Sequence, residues 1–308
     1  MRFNPKANIG GGRISGGGGG GGGLGGLGGG RGIPIPGGLG IKGTILVIII
    51  YFLIQMCSNG SLPGSGLPGV PGSDSGGQSS TDDGTYDNCK TGEDANKDVD
   101  CARQAVVLSL ETFWKDRFEE GQFKPAPVRT FGGQVSTGCG AASSGMGPFY
   151  CPADQTIYED PSFYEKVLEG QLGGQGGDFV EPYVLGHEYG HHIQNITGQM
   201  RNVRSQQGAD SDAVKLELQA DCYAGLWAAG ATGTTDSSGV KIFETIDEAD
   251  IKEAIAAAST VGDDHIQKTT QGRVDETGWT HGSSEQRMTW FKRGYDGGSY
   301  GSCDIWKR

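Results

Sequence analysis

Apolar positions along the chain change spacing several times, and each change marks a different kind of segment. From Gly43 to Cys57 there is no charge, and Ile45 to Ile54 is almost wholly apolar. A spanning helix needs about 20 apolar residues, with a lower limit near 17. The run sits at that short end and predicts an N-terminal transmembrane helix over 43–57. Beyond it, Val99, Ala102, Val106, Leu110, Phe113 and Trp114 recur at helical spacing, predicting a helix within 98–120. Phe149-Tyr150 and Gln155 to Tyr158 predict short strands around a Cys-Pro turn, and 161–170 a short helix. Helices follow over 179–197, ended near Gly198, and over 212–230, with Leu216, Ala220, Tyr223, Ala224 and Trp227 in phase. A third runs over 247–260 behind Asp247 as N-cap, and a fourth from about 284 to 294, where Ser283 and Gln286 form a capping box. Residues 122–131, with two prolines, read as extended or looped, and 261–282 as mostly loop.

Composition sharpens this division. The chain holds 58 glycines, many before residue 40, with Gly16 to Gly23 unbroken. Residues 1–42 therefore read as a disordered tail and 58–87, rich in Gly, Ser and Pro, as a linker. That leaves 88–308 as one folded domain, α+β and mainly helical with a small sheet. All 37 acidic residues follow residue 57, whereas Arg2, Lys6, Arg13, Arg31 and Lys42 precede it. The acidic part would repel nucleic acid, which is not an expected partner. Basic residues on the N-terminal side of the apolar run place the N-terminus inside a bacterial cytoplasmic membrane. The domain is then periplasmic or extracellular, with the membrane as a partner through that helix. A cleaved signal peptide fits less well, because no A-x-A site follows the run.

Six cysteines lie in the expected domain. Cys89 and Cys101 are twelve apart, as are Cys139 and Cys151, leaving Cys222 with Cys303. Local pairing of the first two pairs is the simplest scheme, with the last as a third disulfide. Disulfides agree with an oxidising compartment.

The densest chemistry lies in Gly186-His187-Glu188-Tyr189-Gly190-His191-His192. Its H-E-x-x-H spacing puts His187 and His191 on one helix face, where neutral imidazoles can hold one metal ion. Glu188 can reach a water on that metal and act as general base. His192 faces about 100° away, towards a neighbouring element or the surface. A catalytic zinc needs a third protein ligand. Glu217, on the next strong helix, can supply it, and Asp221 one turn on can accept a hydrogen bond from a ligand imidazole. His265, His281 and Asp210 are rival ligands. A third histidine in the H-E-x-x-H-x-x-G-x-x-H arrangement is excluded, since no histidine lies there. The C-terminal stretch Thr280 to Arg287 offers His281 as a donor to a developing oxyanion, and Arg287 as a partner for an acid near the site.

Together, G-H-E-Y-G-H-H, E-L-Q-A-D-C-Y-A-G and T-H-G-S-S-E-Q-R resemble the bacterial neutral zinc metallopeptidase family. Gly147 to Pro152 and Gly262 to Gln267 resemble it too, and the likeness runs from about residue 98 to the C-terminus. The resemblance implies a zincin-like domain of gluzincin type with one Zn2+. Glu217 is then a ligand, Asp221 the partner of a ligand histidine, and His281 and Arg287 part of the site. By analogy, an edge strand before the active helix binds substrate, and Gln155 to Tyr158 is the candidate. The expected function is hydrolysis of peptide bonds in a peptide or protein substrate. The alternatives are a non-catalytic scaffold of the cell envelope and a zinc amidase acting on cell-wall peptides.

Overall fold

The structure, a computed structural model, describes residues 1–11, 13–17 and 84–307. It begins with β1 (Arg2–Phe3) and β2 (Ile14–Gly17), followed by the single-turn α1 (Gly92–Ala95) and by α2 (Val99–Lys115). Next come β3 (Val128–Phe131), the hairpin β4 (Gln134–Thr137) and β5 (Gly140–Ser143), then β6 (Phe149–Cys151) and β7 (Thr156–Glu159). After a π-helical turn, Tyr164–Glu169, the chain forms α3 (Val180–Ile196), α4 (Asp212–Gly230), β8 (Phe243–Thr245), α5 (Glu248–Thr260), α6 (Asp263–Gln271) and α7 (Ser284–Gly297). The mixed helical and sheet character matches the expectation, and Asp247 and Ser283 cap their helices as read.

The main sheet has the order β2-β3-β7-β6. β2 runs parallel to β3 and β3 parallel to β7, whereas β6 closes the edge antiparallel to β7. The edge strand that contacts α3 is therefore β6. The expected substrate strand, Gln155 to Tyr158, instead supplies β7, which is paired on both sides. A second difference is α6, in a stretch read as mostly loop. Its nine residues carry one deeply placed apolar side chain, Ile266, too few to show a helical period.

Helices α3, α4 and α7 make the centre of the domain. Gly190 of α3 faces Ala220 of α4, where a Cβ would lie 3.0 Å from the Ala220 backbone. Gly294 of α7 abuts the Cys222 carbonyl so closely that no side chain fits. Cys89–Cys101, Cys139–Cys151 and Cys222–Cys303 are paired, the last fastening α4 to the C-terminal segment.

The beginning of the chain departs most from expectation. Phe3, Ala7, Ile9 and Ile14 are buried in the main core. β1 pairs with β8, and the Ile9 carbonyl accepts from the buried Gln104 side chain. Four apolar side chains placed before a glycine run suffice to dock the segment, and the average composition concealed them. This also corrects the membrane reading. Among the described residues no helix is long and apolar enough to cross a membrane, and 43–57 lies outside the described residues. Moreover, one crossing between residues 17 and 84 would separate Ile14 from Val128, its partner across the sheet. The single-pass placement, with the start of the chain inside and the domain outside, is withdrawn together with the N-terminal transmembrane helix.

Replacing Ile9 by Ala should cost about 2–5 kcal/mol of stability in urea unfolding. An unchanged midpoint would mean that residues 1–17 do not belong to the core.

Candidate metal centre

Helix α3 begins after Phe179, whose N–H donates to Glu253 Oε2 at 2.9 Å. The close approach at Gly190 brings one face of α3 against α4. His187 Nε2 lies 3.1 Å from Glu217 Oε2, and His191 Nε2 lies 3.4 Å from Glu217 Oε1. One donor atom from each of these three buried residues falls within 4.8 Å of the others. Two imidazole nitrogens and a carboxylate, all turned inward, fit zinc.

The remaining ring nitrogens are oriented. His187 Nδ1 lies 2.9 Å from Asp221 Oδ1, and since a carboxylate only accepts, Nδ1 carries the hydrogen. Asp221 also accepts from the Tyr183 hydroxyl at 2.7 Å and from Arg287 Nε and Nη2 at 2.8 and 3.0 Å. Burial opposes charge on Asp221, but the Arg287 guanidinium and His187 outweigh it and hold the carboxyl down to about 2. Arg287 Nη1 is taken by the Val261 carbonyl, so α7 and the residue following α5 converge behind the site.

His191 is oriented by a residue that sequence reasoning missed, Gln194. Its Nε2 donates to the Leu216 carbonyl at 2.7 Å, which can only accept. The amide is thereby fixed with Oε1 towards His191 Nδ1, 2.9 Å away. Nδ1 then carries the hydrogen and Nε2 keeps its lone pair. The polarity continues outward: Gln219 Oε1 accepts from Gln194 Nε2 and Trp306 Nε1, and Gln219 Nε2 donates to the Cys303 carbonyl. The clue in the sequence was a glutamine three residues after a candidate ligand, on the buried side of its helix.

Glu188, His281 and Arg287 line the same cavity as the three donors, about 160 Å³ in volume. Glu188 is buried, which raises its pKa against the opposing influence of His191 and His187. His281 sits in the turn after Thr280, whose hydroxyl lies 2.8 Å from its Nδ1. Asp263, at the start of α6, fixes that turn by accepting from the N–H groups of Thr280, His281 and Gly282. Burial lowers the His281 pKa, but Glu217 and Asp263 outweigh it and raise the value overall.

Two rival ligands lie elsewhere. His265 donates to the Leu172 carbonyl at 2.7 Å, and Asp210 is exposed. His192 is fully buried rather than at the surface. It donates through Nε2 to the Lys124 carbonyl at 2.6 Å and accepts from the Tyr150 hydroxyl through Nδ1, fastening α3 to β6. A second acidic group, Asp178, Asp250 and Glu253, is occupied by the Met1 ammonium and the Phe179 N–H.

A helix bearing two histidines and a glutamate, crossed by a second helix bearing a third acid, defines a zinc metallopeptidase-type site. The chain matches, over residues 4–306, the family described as "Putative neutral zinc metallopeptidase", and it belongs to that family. It is similar to an uncharacterized protein of Mycobacterium tuberculosis strain H37Rv, 49% identical over 218 residues that cover 70% of this chain and 73% of that protein. It is also similar to the uncharacterized protein YpfJ of Escherichia coli K12, 40% identical over 218 residues, 68% of this chain and 72% of that one. No solved structure matches the chain.

In the metal-free chain burial disfavours the charged form of His187, but Asp221 and Glu217 outweigh it and raise the pKa to about 9. At pH 7 the ring therefore holds a proton that a metal must displace. Calorimetry in buffers of different ionisation enthalpy should register about one proton released per zinc from this ring, with affinity rising as pH approaches 9. Binding without proton release would contradict it. Gln194→Met should weaken zinc binding about 10–100-fold, as measured by competition with a chelator.

Proposed function

We propose that the chain hydrolyses internal peptide bonds of a peptide or protein substrate, with one zinc ion held by His187, His191 and Glu217. The observation that carries this reading is the convergence of those three donors in a buried cavity that Glu188 also lines. When bound, zinc would supply a Lewis acid that polarises a carbonyl and acidifies water. Glu188 takes the proton of the attacking water on a carboxylate oxygen and passes it to the leaving nitrogen. Its burial supports this role, because a carboxylate with a raised pKa holds a proton more readily. His281, with a raised pKa and Nδ1 directed to Thr280, offers a hydrogen at Nε2 to the oxyanion. Asp221 and Arg287 keep His187 turned towards the metal.

Glu188→Gln should bind zinc stoichiometrically and lose at least about 100-fold in peptide cleavage. Full activity in that variant would remove Glu188 from the mechanism. Glu217→Ala should lose the metal, whereas retained stoichiometric zinc would mean that the third ligand lies elsewhere.

A further inference from the structure

Val167, Leu172 and Ile266 form a small apolar cluster separate from the main core, with Phe163 packed against it. All four line the cavity that contains the metal donors. Their wall is firmly built. The π-helical turn Tyr164–Glu169 supplies Val167, and α6 supplies Ile266. His265 of α6 ties that helix to Leu172 through the Leu172 carbonyl. Opposite in sequence, Gly147, Pro148 and Phe149 lead into edge strand β6 and line the same space.

The charges of the cavity are already committed. Arg287 is the one Lys or Arg among the described lining residues. It gives its hydrogens to Asp221, the Tyr183 hydroxyl and the Val261 carbonyl. Glu217 faces both histidines, and Glu188 is engaged with the proton of the attacking water in the peptidase reading. Among the described lining residues no Lys or Arg is left to receive a substrate's C-terminal carboxylate, and neither Glu188 nor Glu217 is left to receive its N-terminal ammonium. A charged side chain against Val167 and Ile266 would lose its hydration without a partner.

Resting on the peptidase reading, we infer that the site takes an internal peptide segment with a bulky uncharged apolar side chain beside the bond that is cut. That side chain seats against Val167, Leu172 and Ile266. These apolar side chains line one part of a cavity of about 160 Å³ that the metal donors, Glu188 and His281 share, so an apolar side chain seated on them lies in the same space as the reacting groups. Leu, Ile, Met and Phe fit the lining, Ala leaves it unfilled, and Asp or Lys is rejected.

The test uses the full zinc-loaded chain and a peptide mixture prepared with free and with blocked ends, with cut positions mapped by mass spectrometry. Cleavage should concentrate at bonds with Leu, Ile, Met or Phe at one fixed flanking position, favoured over Ala by at least about tenfold. End-blocked peptides should be cut as readily as free ones. Ile266→Lys should shift the preference towards Asp and Glu at that position while zinc stoichiometry holds. Should that variant not fold, Val167→Ala should shift it from Leu towards Phe and Trp. Cleavage without apolar preference, or only next to a free terminus, overturns this inference and leaves the peptidase reading standing. If the zinc-loaded chain cuts no peptide at all, the peptidase reading falls and this inference with it.

Discussion

The Asp221 carboxylate is the point on which the architecture turns. It is fully buried, and a buried charge costs several kcal/mol unless it is paired and fully hydrogen-bonded. Here it meets Arg287 from α7, the Tyr183 hydroxyl from α3, and the His187 ring. One negative charge thus fixes three helices at one place. The arrangement constrains the sequence in both directions. Arg287 without Asp221 would be a buried cation with only neutral partners, and Asp221 without Arg287 would press a proton onto itself or onto His187. The small residues at the crossings, Gly190 on α3 and Gly294 on α7, allow the helices close enough for these bonds to be short. Packing and metal chemistry are therefore one problem in this fold.

That coupling extends outward along both histidines. On the His187 side the chain of bonds ends at the Val261 carbonyl and at α7. On the His191 side it passes through Gln194 and Gln219 to Cys303 and Trp306, in a segment fastened by the disulfide to Cys222. A carbonyl at each branch can only accept, so the direction of every amide is set without any choice of rotamer. The His191 lone pair faces Glu217 because the Leu216 carbonyl fixes the Gln194 amide, whereas His187 is turned by the Asp221 carboxylate.

What the sequence disclosed follows from the range of each interaction. His187, Glu188 and His191 are related by a helical turn, and Glu217 and Asp221 by another, so local spacing was enough to read them. The capped helices and the cysteine pairs separated by twelve were legible for the same reason. Gln194 was not, because its role comes from Leu216 and Gln219 on another helix. The edge of the sheet was misplaced because strand order depends on pairings among β2, β3 and β7 that no local pattern specifies. Helix α6 escaped because its role is polar: Asp263 holds the backbone around His281. The buried start of the chain escaped because four spaced apolar residues beside a glycine run carry little periodic signal.

The docking of residues 1–17 has a further meaning. Among the described residues its contacts include α1, α2, β3, β8 and the acids Asp178, Asp236 and Asp250, all far along the chain. A cut anywhere between residues 17 and 84 would break none of them. The first strands then act towards the rest of the domain as a bound peptide held at high effective concentration by its own tether. Supplied as a separate molecule, the same peptide would have to find an open parallel edge at β3, and assembly of the sheet would become a concentration-dependent association.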